Sequence, residues 1–153
     1  MDAIFKDLNV KFTLPEDTKY YNKTEIFKLL KLSKQQQNNC LMALSKNNDK
    51  FVTLINYLGD INTHNDYDNL LNDYIKNNDK LGIKLIYKDK LTSNDNRFLD
   101  IQFFTGLEFN TVCIFSVINK KVFLAISNSR DTKHQELLKF PLEIMKSLTS
   151  CDN

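Results

Sequence analysis

The sequence predicts an α+β protein in which N-terminal helices, partly coiled-coil-like, precede a four-stranded antiparallel meander and a C-terminal helix. The main observation is a change of hydrophobic period at Leu81-Gly82-Ile83, where a helical repeat gives way to the two-residue alternation of strands. With 153 residues, 42% of them hydrophobic, the chain can bury one core. We therefore expect a helical, oligomerising region over 1–80 and a sheet with its closing helix over 81–153.

The first segments of the helical region are predicted from their apolar and capping residues. Apolar residues between Ile4 and Leu14 fit a helix or a strand equally well, and Pro15 ends this segment. Thr24 can cap a helix that ends near Leu32, because its side chain can accept a hydrogen bond from a free backbone N–H group. We therefore predict one undecided segment followed by one short helix.

Residues 33–58 carry apolar side chains at intervals of three and four, which is the spacing of a coiled-coil seam. The seam positions are Leu41, Leu44, Asn48, Phe51, Ile55 and Leu58. Two interpretations stay open: an amphipathic helix that packs on the protein's own core, or a coil formed with another chain. Asn48 fits both, since a buried amide can fix the register of a coil and an exposed amide is simply solvated.

A second helical stretch leads to the change of period. Gly59 can adopt the left-handed conformation that ends a helix, and the polar residues 62–65 predict a turn. Apolar residues then recur every three to four positions from Tyr67 to Leu81. Two helices joined by a short turn indicate an antiparallel pair.

Four segments after this helix alternate in the manner of β-strands. They are residues 83–88, 97–104, 111–118 and 121–127. The third segment is apolar on both faces, which predicts a central strand, whereas the first has the pattern of an exposed edge. Asn119-Lys120 predicts a hairpin turn, because asparagine tolerates positive φ.

The last predicted element is a helix whose apolar face covers the sheet. Asp131 or Thr132 can cap this helix, and its apolar residues run from Leu137 to Leu148. Pro141 removes one backbone hydrogen bond inside it, so we expect either a kink or two helical segments.

Charge and composition argue against nucleic-acid binding. The net charge is +2, and only Arg97 and Arg130 among the 21 basic residues are arginines. No stretch combines lysine, arginine and aromatic residues as a nucleic-acid surface does, so nucleic-acid binding is weakly supported. The excess of lysine and asparagine matches the codon usage of an AT-rich genome.

Cysteine spacing and hydropathy predict the compartment. Cys40, Cys113 and Cys151 lie too far apart for a zinc motif, and an odd number of cysteines argues against a disulfide framework. The N-terminus lacks the apolar core of a secretion signal, and no run approaches the roughly 20 apolar residues of a membrane span. We therefore expect an intracellular protein of the cytoplasm or nucleus that does not enter a membrane.

No residue pattern in the chain indicates chemistry. The two histidines, His64 and His134, fall in a turn and at a helix start, away from any serine or cysteine nucleophile motif. Three glycines are too few for a phosphate-binding loop. Asp66 and Asp68 have the first spacing of a calcium loop, but Leu71 replaces the required glycine. We therefore predict no catalytic residue, no metal site and no cofactor.

Two short segments carry a family resemblance. Leu81-Gly82 joins the helical region to the sheet, and Phe140-Pro141 lies in the closing helix. This layout resembles the RWD-like globular heads of kinetochore coiled-coil proteins, namely the outer-kinetochore subunits and monopolin, over residues 66 to 148. In those heads a coil similarly reaches a Leu-Gly step before the sheet opens.

The resemblance implies a non-enzymatic protein–protein interaction adaptor in chromosome segregation, assembled as a homo- or hetero-dimer through the seam. Its further docking surfaces would be the edge strand 83–88 and the turn that carries Leu107 and Phe109. A second hypothesis is a viral or bacterial effector or chaperone-like protein that binds a host or secreted partner. A third is a small enzyme whose site is assembled from scattered residues.

Overall fold

The computed structural model describes residues 1–46 and 50–151, and it is mostly β. The elements in chain order are β1 Asp2–Phe5, β2 Val10–Thr13, β3 Thr18–Tyr20, α1 Lys23–Leu29, α2 Lys34–Asn39, β4 Cys40–Lys46, β5 Thr53–Asp60, α3 His64–Lys80, β6 Lys84–Thr92, β7 Phe98–Gly106, β8 Phe109–Ile118, β9 Lys121–Ser129, α4 His134–Lys146 and β10 Thr149–Ser150. A single 3-10 turn, Lys6–Leu8, separates β1 from β2.

The strands form two antiparallel sheets. The large sheet has seven strands in the order β3-β4-β5-β9-β8-β7-β6, and the small sheet has three in the order β1-β2-β10. Strands β6 to β9 follow each other as hairpins, while β5 pairs with β9 far along the chain. The edges of the large sheet are therefore β3 and β6.

The central strands of the large sheet are buried on both faces. On one face, α4 and the small sheet enclose the main core, which includes Phe12, Leu44, Ile55, Phe123 and Ile144. On the other face, α3 packs over Phe104, Cys113 and Phe115, and α1 packs over Ala43 and Leu54. The central strands accordingly consist of nearly continuous apolar residues, because both of their faces exclude water.

The predicted coiled-coil seam is wrong, because Leu41, Leu44, Ile55 and Leu58 belong to two strands of this sheet, β4 and β5. Leu44 lies on β4 and Ile55 on β5, and both side chains are fully buried in the main core. A strand buried on both faces is a continuous apolar run, in which helical spacings can be found as easily as strand spacings. β-Branched residues such as Val52, Thr53 and Ile55 favour the strand.

The predicted fold class is therefore wrong as well. Strands lie at all the positions predicted after residue 81, but they extend a seven-stranded sheet and do not form a separate four-stranded meander. The region 1–80 contributes β3, β4 and β5 to the same sheet, so this sheet crosses the predicted boundary at residues 80 and 81.

The two long helices show how local sequence sets their limits. Thr63 and Asp66 form a capping box at the start of α3, in which each side chain accepts a hydrogen bond from the other residue's backbone N–H group. In α4, Pro141 lies inside one continuous helix and is buried against the sheet, although two segments were one of the expectations. Among the described residues, no helix is long and apolar enough to cross a membrane.

Candidate functional site

A cleft of about 280 Å³ opens between the first turns of α3 and the β6–β7 side of the large sheet. Its apolar walls include Ile61, Tyr67, Phe98 and Val117, and its polar groups include His64, Asp68, Lys90 and Asp100. The cleft brings together a helix start, the two outermost strands and the end of β8. Polar and apolar side chains of four different elements therefore converge on it.

The capping box places Tyr67 over the sheet. The Asp66 carboxylate accepts two hydrogen bonds of 3.1 Å each, from the backbone N–H groups of Asn62 and Thr63. These bonds fix the direction in which α3 leaves the preceding turn. Tyr67 follows in the first turn and is 7% exposed. Its partner Asp100 faces α3 because its neighbours in β7, Leu99 and Ile101, face the opposite core.

The Tyr67 hydroxyl donates a hydrogen bond of 2.5 Å to Oδ2 of Asp100. Burial raises the pKa of Tyr67 far above its usual value of 10, and the hydrogen bond and charge of Asp100 raise this pKa further. The phenol therefore stays protonated at physiological pH and serves as a donor. It is unsuited to act as a general base.

Lys90 and Phe98 form the outer wall of the cleft. Lys90 Nζ lies 3.8 Å from Oδ1 of Asp100 and 4.9 Å from the centre of the Phe98 ring. The Phe98 side chain is 63% exposed, although it belongs to a strand of the large sheet. An aromatic ring beside a cation and open to solvent is typical of recognition surfaces, because its burial by a partner releases water from apolar area.

His64 and Asp68 stand at the rim of the cleft. His64 Nε2 lies 3.6 Å from Oδ2 of Asp68, and its ring centre lies 6.4 Å from that of Tyr67. The His64 side chain is 81% exposed, so the ion pair that it forms when protonated contributes little to stability. The rim of the cleft therefore carries ionisable side chains, but it does not hold a catalytic group in a fixed position.

A buried cysteine and the second histidine lie outside the cleft, and both contact other groups. Cys113 is fully buried beneath α3, where burial raises the pKa of its thiol to about 12, only partly offset by its hydrogen bond with Tyr74. His134 contacts the Phe104 carbonyl oxygen through Nε2 at 2.7 Å and stacks on Phe103. Within 1–46 and 50–151, no three His, Cys, Asp or Glu side chains are grouped to hold a metal ion.

The residues predicted from the sequence as partner-binding do not line this cleft. Leu44, Phe51 and Ile55 are buried in the main core, Leu41 and Leu58 are half-buried in the same two strands, and Asn48 lies outside the described residues. Leu107, 63% exposed, lies in the turn between β7 and β8, and Phe109, 36% exposed, begins β8. A partner-binding role for these two residues stays a prediction.

The turn and the cleft lie at opposite ends of β7. Phe98 begins the strand, and Gly106 ends it beside Leu107. A Cβ atom on Gly106 would come within 2.3 Å of the Gly82 carbonyl oxygen, so only glycine allows β7 to end this close to the start of β6. The predicted surface and the observed cleft are therefore separated by the length of a strand.

Sequence reasoning missed all the residues that form the cleft. Tyr67 has the spacing of an apolar helical position, and Asp100 that of a polar strand position. Thirty-three positions separate the two residues along the chain. The sequence marks Asp100 only as a polar position on its strand, and such a position alone does not identify its partner.

Comparisons with known proteins give a fold but no family. No protein-family model matches the chain, and no curated protein matches its sequence. Its structure is similar to the solution structure of the cyanobacterial PsbP protein CyanoP from Synechocystis sp. PCC 6803, with a TM-score of 0.64 over 98% of this chain and 91% of that chain. Sequence identity is 8%, so the likeness shows the fold alone.

This fold corrects the functional predictions. The fold is similar to that of CyanoP, so the resemblance to an RWD-like kinetochore head is wrong. The predicted adaptor role in chromosome segregation depended on this resemblance and is wrong as well. The predicted location in the cytoplasm or nucleus, which came from cysteine spacing and hydropathy, is corrected too, because the fold likeness to CyanoP gives it no support. The fold likeness gives no support to the effector or chaperone alternative or to a dimer through the seam.

Proposed function

We propose that the protein binds a segment of a partner protein in the cleft between α3 and the β6–β7 side of the sheet, without catalysing a reaction. The observation that carries this proposal is the Phe98 ring, which is 63% exposed beside Lys90 at the mouth of the cleft. A large exposed aromatic side chain next to a charged group is a frequent anchor of protein recognition.

The polar groups of the cleft support binding over catalysis. Asp100 already accepts from Tyr67 and pairs with Lys90, so its charge is compensated before any ligand arrives. The Tyr67 proton is held by burial and by this carboxylate. A general acid or base needs a pKa near the working pH and a free path to the substrate, and Tyr67 offers neither.

The size of the cleft favours a side chain of a partner over a free small molecule. Its volume of about 280 Å³ lies at the lower end of ligand sites, which usually enclose about 300–1,000 Å³. Ile61, Val117 and Phe98 provide apolar contact for one large side chain. Lys90, whose side chain is 56% exposed, can meet an acidic group next to that side chain.

The proposal is tested with peptides selected for binding to the intact protein. Twelve-residue peptides displayed on phage are selected on the wild-type chain, resynthesised, and titrated against variants by isothermal calorimetry. In Phe98→Ser we expect affinity to fall by about thirtyfold, which corresponds to the roughly 2 kcal/mol of a binding hot spot. Leu107→Ser is the matched control, because the Leu107 side chain has the same 63% exposure at the far end of β7.

The two variants separate the cleft from the turn. Loss of affinity in Phe98→Ser with unchanged affinity in Leu107→Ser supports the cleft. The reverse result would assign binding to the turn predicted from the sequence and would contradict the proposal. Equal affinity of both variants and the wild type would also contradict it, since neither surface would then contribute.

A further inference from the structure

The strand β6 is an open edge of the large sheet. It is nine residues long and, within the described residues, pairs with β7 alone. Only Leu85 and Leu91 are half-buried, and the other side chains of the strand are exposed. Alternate residues of an edge strand direct their N–H and C=O groups outward, where they can pair with another strand.

Positive charge prevails on one face of this edge. β6 carries Lys84, Lys88 and Lys90 and the single acid Asp89, and two of the lysines are already paired, Lys84 with Asp79 and Lys90 with Asp100. Lys88 forms no ion pair among the described residues, and the Lys90 side chain remains 56% exposed. Lysines on an edge oppose pairing with a second copy of the same strand, because like charges would lie opposite each other. The same lysines attract an acidic strand, so the charge that prevents self-association selects the opposite partner.

A bulge limits which part of the edge is usable. The register shifts between Leu85 and Tyr87, so Ile86 is inserted without a partner in β7. From Tyr87 to Thr92 the register with β7 is regular. An added strand therefore has about six residues along which to pair, enough for a typical short strand.

The usable part of the edge runs into the cleft. Lys88 lies opposite Gln102 and Lys90 lies opposite Asp100, so both lysines are on the face of the sheet that α3 covers. Lys90 also belongs to the cleft wall with Phe98. A strand added next to β6 would lie about 4.8 Å away and would direct alternate side chains toward this face.

We propose that β6 accepts an extended, acidic segment of the partner protein as an additional antiparallel or parallel strand, which continues the large sheet. This proposal rests on the proposed function. It adds the conformation and the charge of the partner segment, one side chain of which enters the cleft. Backbone hydrogen bonds along Tyr87 to Thr92 supply the contact, and the lysines supply the selectivity.

The opposite edge of the sheet provides an internal control. β3 has three residues and pairs with β4, and its Lys19 Nζ lies 4.9 Å above the Tyr21 ring. Three residues are too few to hold an added strand, because the few backbone hydrogen bonds that form do not offset the conformational entropy lost when the partner segment becomes ordered. Strand addition should therefore be confined to β6.

The experiment compares two synthetic nine-residue peptides on the full chain. One alternates threonine and glutamate, the other alternates threonine and lysine, and both are capped at their ends. Amide hydrogen exchange and chemical shifts are followed by NMR at up to millimolar peptide. With the acidic peptide we expect slower exchange at alternate amides between Tyr87 and Thr92 and no change in β3, and with the basic peptide no change at either edge.

Charge variants test the selectivity. Lys88→Glu should weaken binding of the acidic peptide about fivefold, since reversing one exposed charge changes a pair energy by about 1 kcal/mol. Lys19→Glu on β3 is the matched control and should leave the affinity unchanged. Protection of β3 in place of β6, equal effects of the two peptides, or no effect of the acidic peptide at millimolar concentration would each overturn strand addition.

Failure of strand addition is distinguishable from failure of the cleft. If the selected peptides lose affinity in Phe98→Ser while exchange in β6 stays unchanged, the cleft binds and the segment does not join the sheet. If exchange in β6 slows while Phe98→Ser binds normally, the edge binds and the cleft does not. The two results concern different residues and different measurements.

Discussion

The two edges of the large sheet differ in length, burial and charge. β3 is three residues long and lies beside β4, in which five of the seven residues are buried. β6 is nine residues long, carries three lysines and keeps two half-buried side chains. A short edge next to a buried strand exposes few backbone groups, whereas a long one exposes many. The comparison indicates that one side of the sheet serves stability and the other is open for recognition.

The supports of the two edges differ as well. Near β3, the Tyr21 N–H group donates to the Ala43 carbonyl at 2.9 Å, and its hydroxyl accepts from Ser45 Oγ at 3.2 Å. Near β6, the support comes from the loop before β7, where Arg97 binds Asp95, Ser116 Oγ and the Leu148 carbonyl. Neutral hydrogen bonds thus support the first edge, and a charged network supports the second.

The largest expected effect is a loss of stability on the β3 side. Leu44 is fully buried in β4, so Leu44→Ala leaves a cavity and should lower the free energy of unfolding by about 2–5 kcal/mol. Ile86→Ala on β6 is the control, because this side chain is 55% exposed, and its effect should stay within about 0.5 kcal/mol. Urea unfolding followed by circular dichroism measures both.

This prediction also separates the sheet from the coiled-coil interpretation. In a seam between chains, a change at Leu44 would release monomers that keep their fold. A variant that is monomeric and as stable as the wild type would therefore contradict the placement of Leu44 in the core.

A smaller effect is expected at the cleft on the β6 side. Tyr67→Phe removes the donor to Asp100 and leaves this carboxylate, 16% exposed, with Lys90 at 3.8 Å. We expect a loss of about 1.5–3 kcal/mol, the range for hydrogen bonds to charged groups. Tyr87→Phe is the matched control, because its hydroxyl bonds Asp89 at 3.3 Å on an exposed surface. Equal losses in the two variants would show that burial of the Tyr67–Asp100 pair is unimportant.

The smallest effect concerns acid stability of the loop that joins β6 to β7. Burial raises the pKa of Asp95, but hydrogen bonds from Arg97 and Ser93 outweigh burial and hold this pKa below its ordinary 3.8. A lowered folded-state pKa contributes stability above pH 3.8 that is lost as the pH falls through the folded value. Asp95→Asn should therefore flatten the acid limb of stability against pH, as measured by thermal unfolding.

The control for this prediction is Asn94→Ala, at the exposed neighbour of Asp95 in the same loop, because this substitution removes no titratable group. The acid limb of this variant should match that of the wild type. An acid limb that is unchanged in Asp95→Asn would contradict the role of the Asp95–Arg97 pair.

Several elements of the fold could be predicted from local sequence. The strands after Gly82 alternate clearly, and α3 has both a capping box and a helical repeat, so their positions follow from periods within each segment. β4 and β5 could not be recognised in this way. Both faces of these strands are buried, and the alternation that distinguishes a strand from a helix is therefore absent.

The candidate site was less predictable than the fold. The edge strand 83–88 was expected to be exposed, and β6 is an exposed edge. The pairing of Tyr67 with Asp100 and of Lys90 with Phe98 left no local pattern, because these contacts join residues of different elements. Leu107 and Phe109 were singled out as exposed apolar residues, and they lie away from the cleft.

The sequence by itself determined the position of α3 and the strands that alternate after Gly82, because these properties depend on neighbouring residues. The caps predicted at Thr24 and at Asp131 or Thr132 were wrong, since Asn22 caps α1 and Lys133 precedes α4 without a side-chain cap bond. Only the tertiary structure decided that β4 and β5 enter the large sheet, that β6 remains its open edge, and that Tyr67 meets Asp100. Strand order and buried polar pairs depend on contacts between residues far apart along the chain, and no local period encodes which distant partner will be chosen.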